Sequence, residues 1–98
     1  MVVTILQAEV DPVRAADLVG AYREGVGELE PGIVETYLLH DARDDTQWRI
    51  VTVWASLEAL DAMRASGQTP RGVQFFAAAG AQATLTVLGV VEHAAALG

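Results

Sequence analysis

The chain contains no lysine, no cysteine and no asparagine, and only two histidines. Without lysine there is no Schiff-base amine. Without cysteine there is no thiolate nucleophile, disulfide, thiolate zinc site or cysteine-ligated iron–sulfur cluster. His40 and His93 stand far apart in sequence, which argues against a dense metal cluster, and nothing in the composition calls for a bound cofactor. Positive charge is scarce as well: six arginines face thirteen acidic residues, giving a formal net charge of -7 and a pI near 4.5. Such a surface is a poor match for nucleic acid or for an anionic membrane, both of which are held by cationic groups. No apolar run reaches the length of a membrane span. Met1 is followed by Val2 and Val3 with no basic run, and the acidic Glu9 and Asp11 come early, so no signal peptide is expected. The expectation is a soluble, cytoplasmic protein.

What is present is apolar. The 98 residues are 52% hydrophobic and 19% charged, enough for one core and too few for two, which predicts a single domain over residues 1–98. An apolar excess in so short a chain is most easily hidden against a second copy of itself.

Periodicity predicts a strand over Val2–Val10, with Val3, Ile5, Gln7 and Glu9 on one face and a core-like set, Val2, Thr4, Leu6, Ala8 and Val10, on the other. Asp11-Pro12 supplies an N-cap and a first-turn proline for a helix from about Val13 to Leu29, weakened by Gly20, Gly25 and Gly27 and stopped at Glu30-Pro31-Gly32. A second strand over Ile33–His40 has Ile33, Glu35, Tyr37 and Leu39 opposite Val34, Thr36, Leu38 and His40. The polar stretch Asp41–Thr46 turns it back into a third strand, Gln47–Ala55, on which Trp48, Ile50, Thr52 and Trp54 share a face. Ser56 caps a helix to about Ala65, Val73–Ala79 forms another helical piece, and Ala83–Glu92 is the last strand, followed by a weak tail, His93–Gly98. The order strand, helix, strand, strand, helix, strand is that of an α+β ferredoxin-like β-α-β-β-α-β sandwich. Grouping Trp48, Ile50, Thr52 and Trp54 with Val3, Ile5, Tyr37, Leu39 and Leu88 puts a largely apolar, partly polar surface on the sheet face away from the helices. A cavity enclosed between two sheets would account for that mixture.

The run GIVETYLLHDARDDTQWRIVTVWASLEALDAMRASG from Gly32, with its strand-end Trp followed by a short helix in WASLEAL, and QFF at Gln74–Phe76, resembles the antibiotic biosynthesis monooxygenase family. That resemblance implies a dimeric α+β barrel and, among its activities, cofactor-independent oxygenation of aromatic substrates. The departures fall on polar positions. Met63 precedes Arg64 where relatives often carry histidine, Thr52 stands where an acidic residue is common, and TPRGVQFF lacks a further histidine. Haem-degrading relatives rely on an asparagine, and this chain offers Gln7 only as a loose amide substitute.

The leading reading is a cofactor-independent monooxygenase acting on a small phenolic, quinol or polyketide-like aromatic. Its partners are a second copy of the chain, a hydrophobic or aromatic small molecule, and molecular oxygen. The catalytic candidates are Trp54 as a stacking platform with one directed N–H, Tyr37 to position a substrate hydroxyl, and Glu35 or His40 to take its proton. Gln7, Trp48, Thr52, Met63, Phe75 and Phe76 are candidates for the substrate-binding wall, with at most one of the two phenylalanines facing it. A non-catalytic binding or structural dimer of the same fold, and an isomerase or cyclase, are the alternatives that the residues leave open.

Overall fold

The structure is a computed structural model and describes residues 1–96, so the last two residues of the tail lie outside it. Strand β1 spans Val2–Glu9, followed by a 3-10 turn at Pro12–Arg14 and helix α1, Ala15–Gly25. Strands β2 (Ile33–His40) and β3 (Gln47–Trp54) form a hairpin; helices α2 (Leu57–Ala65) and α3 (Arg71–Ala78) lead to β4 (Thr84–Gly89). All strand pairs are antiparallel in the order β2-β3-β1-β4, the ferredoxin-like arrangement expected from the element order. Among the described residues no helix is long and apolar enough to cross a membrane.

The caps act as anticipated. The Asp11 side chain accepts from Val13 N–H with Pro12 in the first turn, and Ser56 accepts from Ala59 N–H at the head of α2. Helix α1 is shorter than expected and ends at Gly25, where two glycines in three residues remove the propensity to continue. Val26 and Leu29 therefore leave the helix and line a cavity instead. Gly25 has a second role, since a Cβ there would collide with the Phe75 ring, so its bareness lets α1 and α3 approach and Tyr22 meet Phe75 edge-on at 5.8 Å.

Residues directly opposite in an antiparallel pair share a face. Thr4 lies opposite Thr52 and Leu6 opposite Ile50, so the tryptophan-bearing side of β3 faces the helices together with Val2, Thr4, Leu6 and Ala8. This corrects the expected grouping, which put Trp48, Ile50, Thr52 and Trp54 on the outer face with Val3 and Ile5. The alternation within each strand is as expected; the phase between strands is not. A bulge between Ile33 and Glu35 adds one change, turning Ile33 to the helix side opposite Trp54 while Glu35, Tyr37 and Leu39 stay on the outer side. The main core joins Leu6, Val10, Leu18, Trp48, Ile50 and Phe76, and a smaller cluster joins Val2, Trp54 and Leu60.

The β2–β3 turn is held by carboxylates. Asp41 accepts from the N–H groups of Arg43 and Asp44 at 2.8 and 2.9 Å, and Asp44 accepts from the Thr46 hydroxyl and N–H at 2.6 and 3.0 Å. Backbone donors hold the Asp41 carboxyl below its ordinary range, and the Thr46 side chain followed by its backbone does the same for Asp44. A carboxyl with a lowered value in the fold stabilises the folded turn above the ordinary aspartate value and loses that contribution as pH falls through the lowered one. Amide protection at Arg43, Asp44 and Thr46 should therefore drop on acidification before protection in β1 does, and the Asp41→Asn variant should show the same local loss at neutral pH. Protection factors by NMR measure both, and a turn that stays protected until the whole domain unfolds would contradict this account.

Candidate functional site

Between the inner sheet face and the helices lies a partly enclosed cavity of about 150 Å³. Its floor is Thr4 and Leu6 of β1, Ile33 and Thr36 of β2, Ile50, Thr52 and Trp54 of β3, and Leu85 of β4. Its walls are Val26 and Leu29 beyond α1, Leu60 and Met63 of α2, and Gly72, Val73 and Phe75 of α3, with Glu30, Arg64 and Arg71 as the charged groups. Gly72 has no room for a Cβ, because Leu6 packs directly beneath it.

The polar floor is a single rung across three strands, Thr36 opposite Thr52 opposite Thr4. The Trp54 indole N–H donates to Thr4 Oγ1 at 3.1 Å, and the Thr36 and Thr52 hydroxyls share one hydrogen bond at 3.2 Å. A threonine hydroxyl has one proton and two acceptor sites. Thr4 therefore keeps its proton, and so does whichever of Thr36 and Thr52 acts as acceptor; neither proton has an acceptor among the described residues. Trp54 offers its ring edge and apolar surface, while its N–H is already taken. Among the described residues Glu30 is the sole carboxylate lining the cavity, and it accepts from Arg71 Nε at 2.8 Å.

Of the residues singled out from sequence, Trp54, Thr52, Met63 and Phe75 meet in this cavity. Phe76 is fully buried in the main core, as one of the two phenylalanines had to be. Trp48 is also core, with its indole N–H unpaired, and His40 stacks on it at 4.0 Å while its Nε2 meets the Asp45 carbonyl at 3.0 Å, outside the cavity. Tyr37, Glu35 and Gln7 lie on the outer face, separated from Trp54 by the sheet. The expected joint site of Trp54 with Tyr37 and Glu35 therefore does not form. Tyr37 and Glu35 do interact: hydrogen bonding to the Glu35 carboxylate, then burial and the carboxylate's charge, push the Tyr37 hydroxyl above its ordinary value. Sequence reasoning missed Thr4, Thr36 and Glu30. The two threonines were legible once Thr52 was placed, through register alone, whereas Glu30 looked like part of a helix stop.

A sequence model of the family described as antibiotic biosynthesis monooxygenase matches residues 1–74, from β1 into α3. The chain belongs to the antibiotic biosynthesis monooxygenase family. No curated protein matches it. Among solved structures it is similar to a family protein from Deinococcus radiodurans (18% identity, all of both chains, TM-score 0.72). It is also similar to SnoaB, a cofactor-independent oxygenase from Streptomyces nogalater (16% identity, 94% of both chains, TM-score 0.68). A third is the heme-degrader MhuD from Mycobacterium tuberculosis with two hemes in its active site (26% identity, 97% of this chain and 100% of that one, TM-score 0.65). The cavity of this family member does not fit a haem. Its volume is of the order that holds a benzene-sized molecule, and among the described residues the lining offers iron only the weak Met63 thioether, with no histidine, cysteine or tyrosine. Among the described residues no three His, Cys, Asp or Glu side chains converge on a metal position.

The Trp54–Thr4 bond is testable by itself. Thr4→Val keeps the shape and leaves a buried indole N–H without a partner, which should cost roughly 1–3 kcal/mol. For a domain of this size each kcal/mol lowers Tm by about 4–8 °C, so calorimetry should read a clear drop, and an unchanged Tm would show that the bond holds nothing.

Proposed function

We propose that the protein is a cofactor-independent monooxygenase of a small phenolic aromatic, and that the cavity between sheet and helices is where the reaction occurs. The observation that carries this reading is the combination, in one apolar cavity of about 150 Å³ lined by Trp54 and Phe75, of a floor of unspent hydroxyl donors and, among the described residues, one carboxylate, Glu30. In this reading a phenol bound in the cavity sets its oxygen on the threonine rung. Glu30 takes its proton, with Arg71 fixing the carboxylate by a charge-assisted hydrogen bond. The hydroxyl donors stabilise the phenolate, whose ring is electron-rich enough to reduce molecular oxygen without a cofactor. In the balanced reaction the ring C–H opposite the phenol becomes a carbonyl, one oxygen atom enters the quinone, and the other leaves as water with the two substrate hydrogens. Tyr37, Glu35 and Gln7 have no part in this scheme.

Oxygen uptake with a panel of single-ring phenols that keep a C–H opposite the hydroxyl tests it. Glu30→Gln should lower kcat by about 100-fold or more, the usual contribution of a positioned base, with a smaller effect on KM. Wild-type protein that consumes no oxygen with any of them would reduce the cavity to a binding site, and full activity in Glu30→Gln would remove the assigned base.

The assembly is a homodimer through the outer sheet face. Val3, Ile5, Tyr37, Leu39, Val51 and Leu88 lie together there, with Tyr37, Leu39 and Leu88 at 45, 45 and 49% exposure. An apolar sheet face of that kind is a surface for association. Light scattering coupled to gel filtration should give twice the chain mass for the wild type and the chain mass for Leu39→Glu; a wild-type monomer at about 50 μM, a concentration well above the Kd of a stable dimer, would refute the dimer.

A further inference from the structure

The cavity's charge has the opposite sign to that of the protein around it. The chain carries a net charge of -7, yet the cavity's charged groups are one glutamate and two arginines, Glu30, Arg64 and Arg71, a local balance of +1. The two arginines are not equivalent. Arg71 is committed, at 2.8 Å from Glu30 and 3.9 Å from Glu28. Arg64 lies in the last turn of α2, exposed at the rim next to Met63, and has no ion-pair partner among the described residues. At the floor, Thr4 and one of Thr36 and Thr52 hold hydroxyl protons without acceptors. Among the described residues the lining of this apolar space thus combines hydroxyl donors on the sheet with a free guanidinium on α2, and its one carboxylate is already paired.

The complement of that lining is a flat apolar molecule with two separate acceptor groups. We propose that the ligand is a small aromatic acid: one ring with a hydroxyl oxygen on the threonine rung and a carboxylate on Arg64. A guanidinium suits that role, because its planar fork meets a carboxylate with two parallel N–H donors. The inference rests on the cavity being the substrate site and adds the anionic substituent. On a protein otherwise repulsive to anions, Arg64 is the group that would select such a ligand.

The test uses a matched pair of single-ring probes that both keep a C–H opposite the hydroxyl, 3-hydroxyphenylacetate and 3-methylphenol, titrated calorimetrically into the full chain under nitrogen so that no turnover intervenes. The acid should bind at least about 10-fold more tightly than the methylphenol, as expected for charge-assisted hydrogen bonds to one arginine. Arg64→Gln should bring the acid down to the level of the methylphenol, Arg64→Lys should restore part of the difference, and Arg43→Gln, in the β2–β3 turn, should keep the full preference. Thr52→Val should weaken both probes. Equal affinities in the wild type, no binding of either probe, or a preference that survives Arg64→Gln would each overturn the proposal. Tight binding of the acid with no oxygen uptake would uphold it and sink the monooxygenase reading; uptake with 3-methylphenol and no preference for the acid would do the reverse.

Discussion

Register between β1 and β3 is the constraint on which the rest of the molecule depends. These are the two central strands, and once Thr4 faces Thr52 and Leu6 faces Ile50 every side chain of the sheet is assigned to one surface or the other. A slip of one residue would turn both tryptophans outward, remove Trp48 and Ile50 from the main core, and separate Trp54 from the only buried threonine that its N–H reaches. The helices are added to this choice. Leu18 and Phe76 are fully buried against the inner face, and the cavity is the space left where α1 ends early and α2 and α3 do not fill the sheet.

That same register marks the boundary of what could be read from the residues alone. Element order, the Asp11-Pro12 and Ser56 caps, and the turn at Asp41–Thr46 follow from local chemistry and stand in the structure almost where expected. The facing of β3 does not follow from local chemistry. Its sequence QWRIVTVW offers Trp48, Ile50 and Trp54 on one side and Val51 and Val53 on the other, so both faces are apolar and alternation cannot say which meets the helices. Pairing with β1, a contact across more than forty residues of chain, decides it. Trp54 and Thr52, neighbours on one face of β3, line the cavity together, whereas Tyr37 and Glu35, whose meeting with Trp54 depended on the phase between strands, lie on the opposite face.

Separating the two faces separates two tasks. The outer face carries Tyr37 beside Glu35, whose carboxylate pushes the phenol hydroxyl above its ordinary value. The inner face carries the cavity. Met63 and Thr52 line it with a thioether and a hydroxyl, so among the described residues the acid–base capacity of its lining rests on Glu30 and the two arginines beside it.

A phenol is ordinarily a far weaker acid than a carboxylic acid, so the proposed transfer to a carboxylate is uphill unless the phenolate is stabilised. In that proposal the threonine floor supplies the stabilisation. Hydroxyl donors aimed at the phenol oxygen stabilise the anion and bring the phenol down toward the carboxylate, so the transfer requires less of Glu30. Trp54 contributes by occupying an acceptor site on Thr4, which leaves the Thr4 proton free to turn toward the cavity. Under the proposed reaction Trp54 would act through the threonine it holds as well as through the surface it presents, and the sheet register that brings Trp54, Thr4, Thr52 and Thr36 onto one face is what gives the cavity its polar floor.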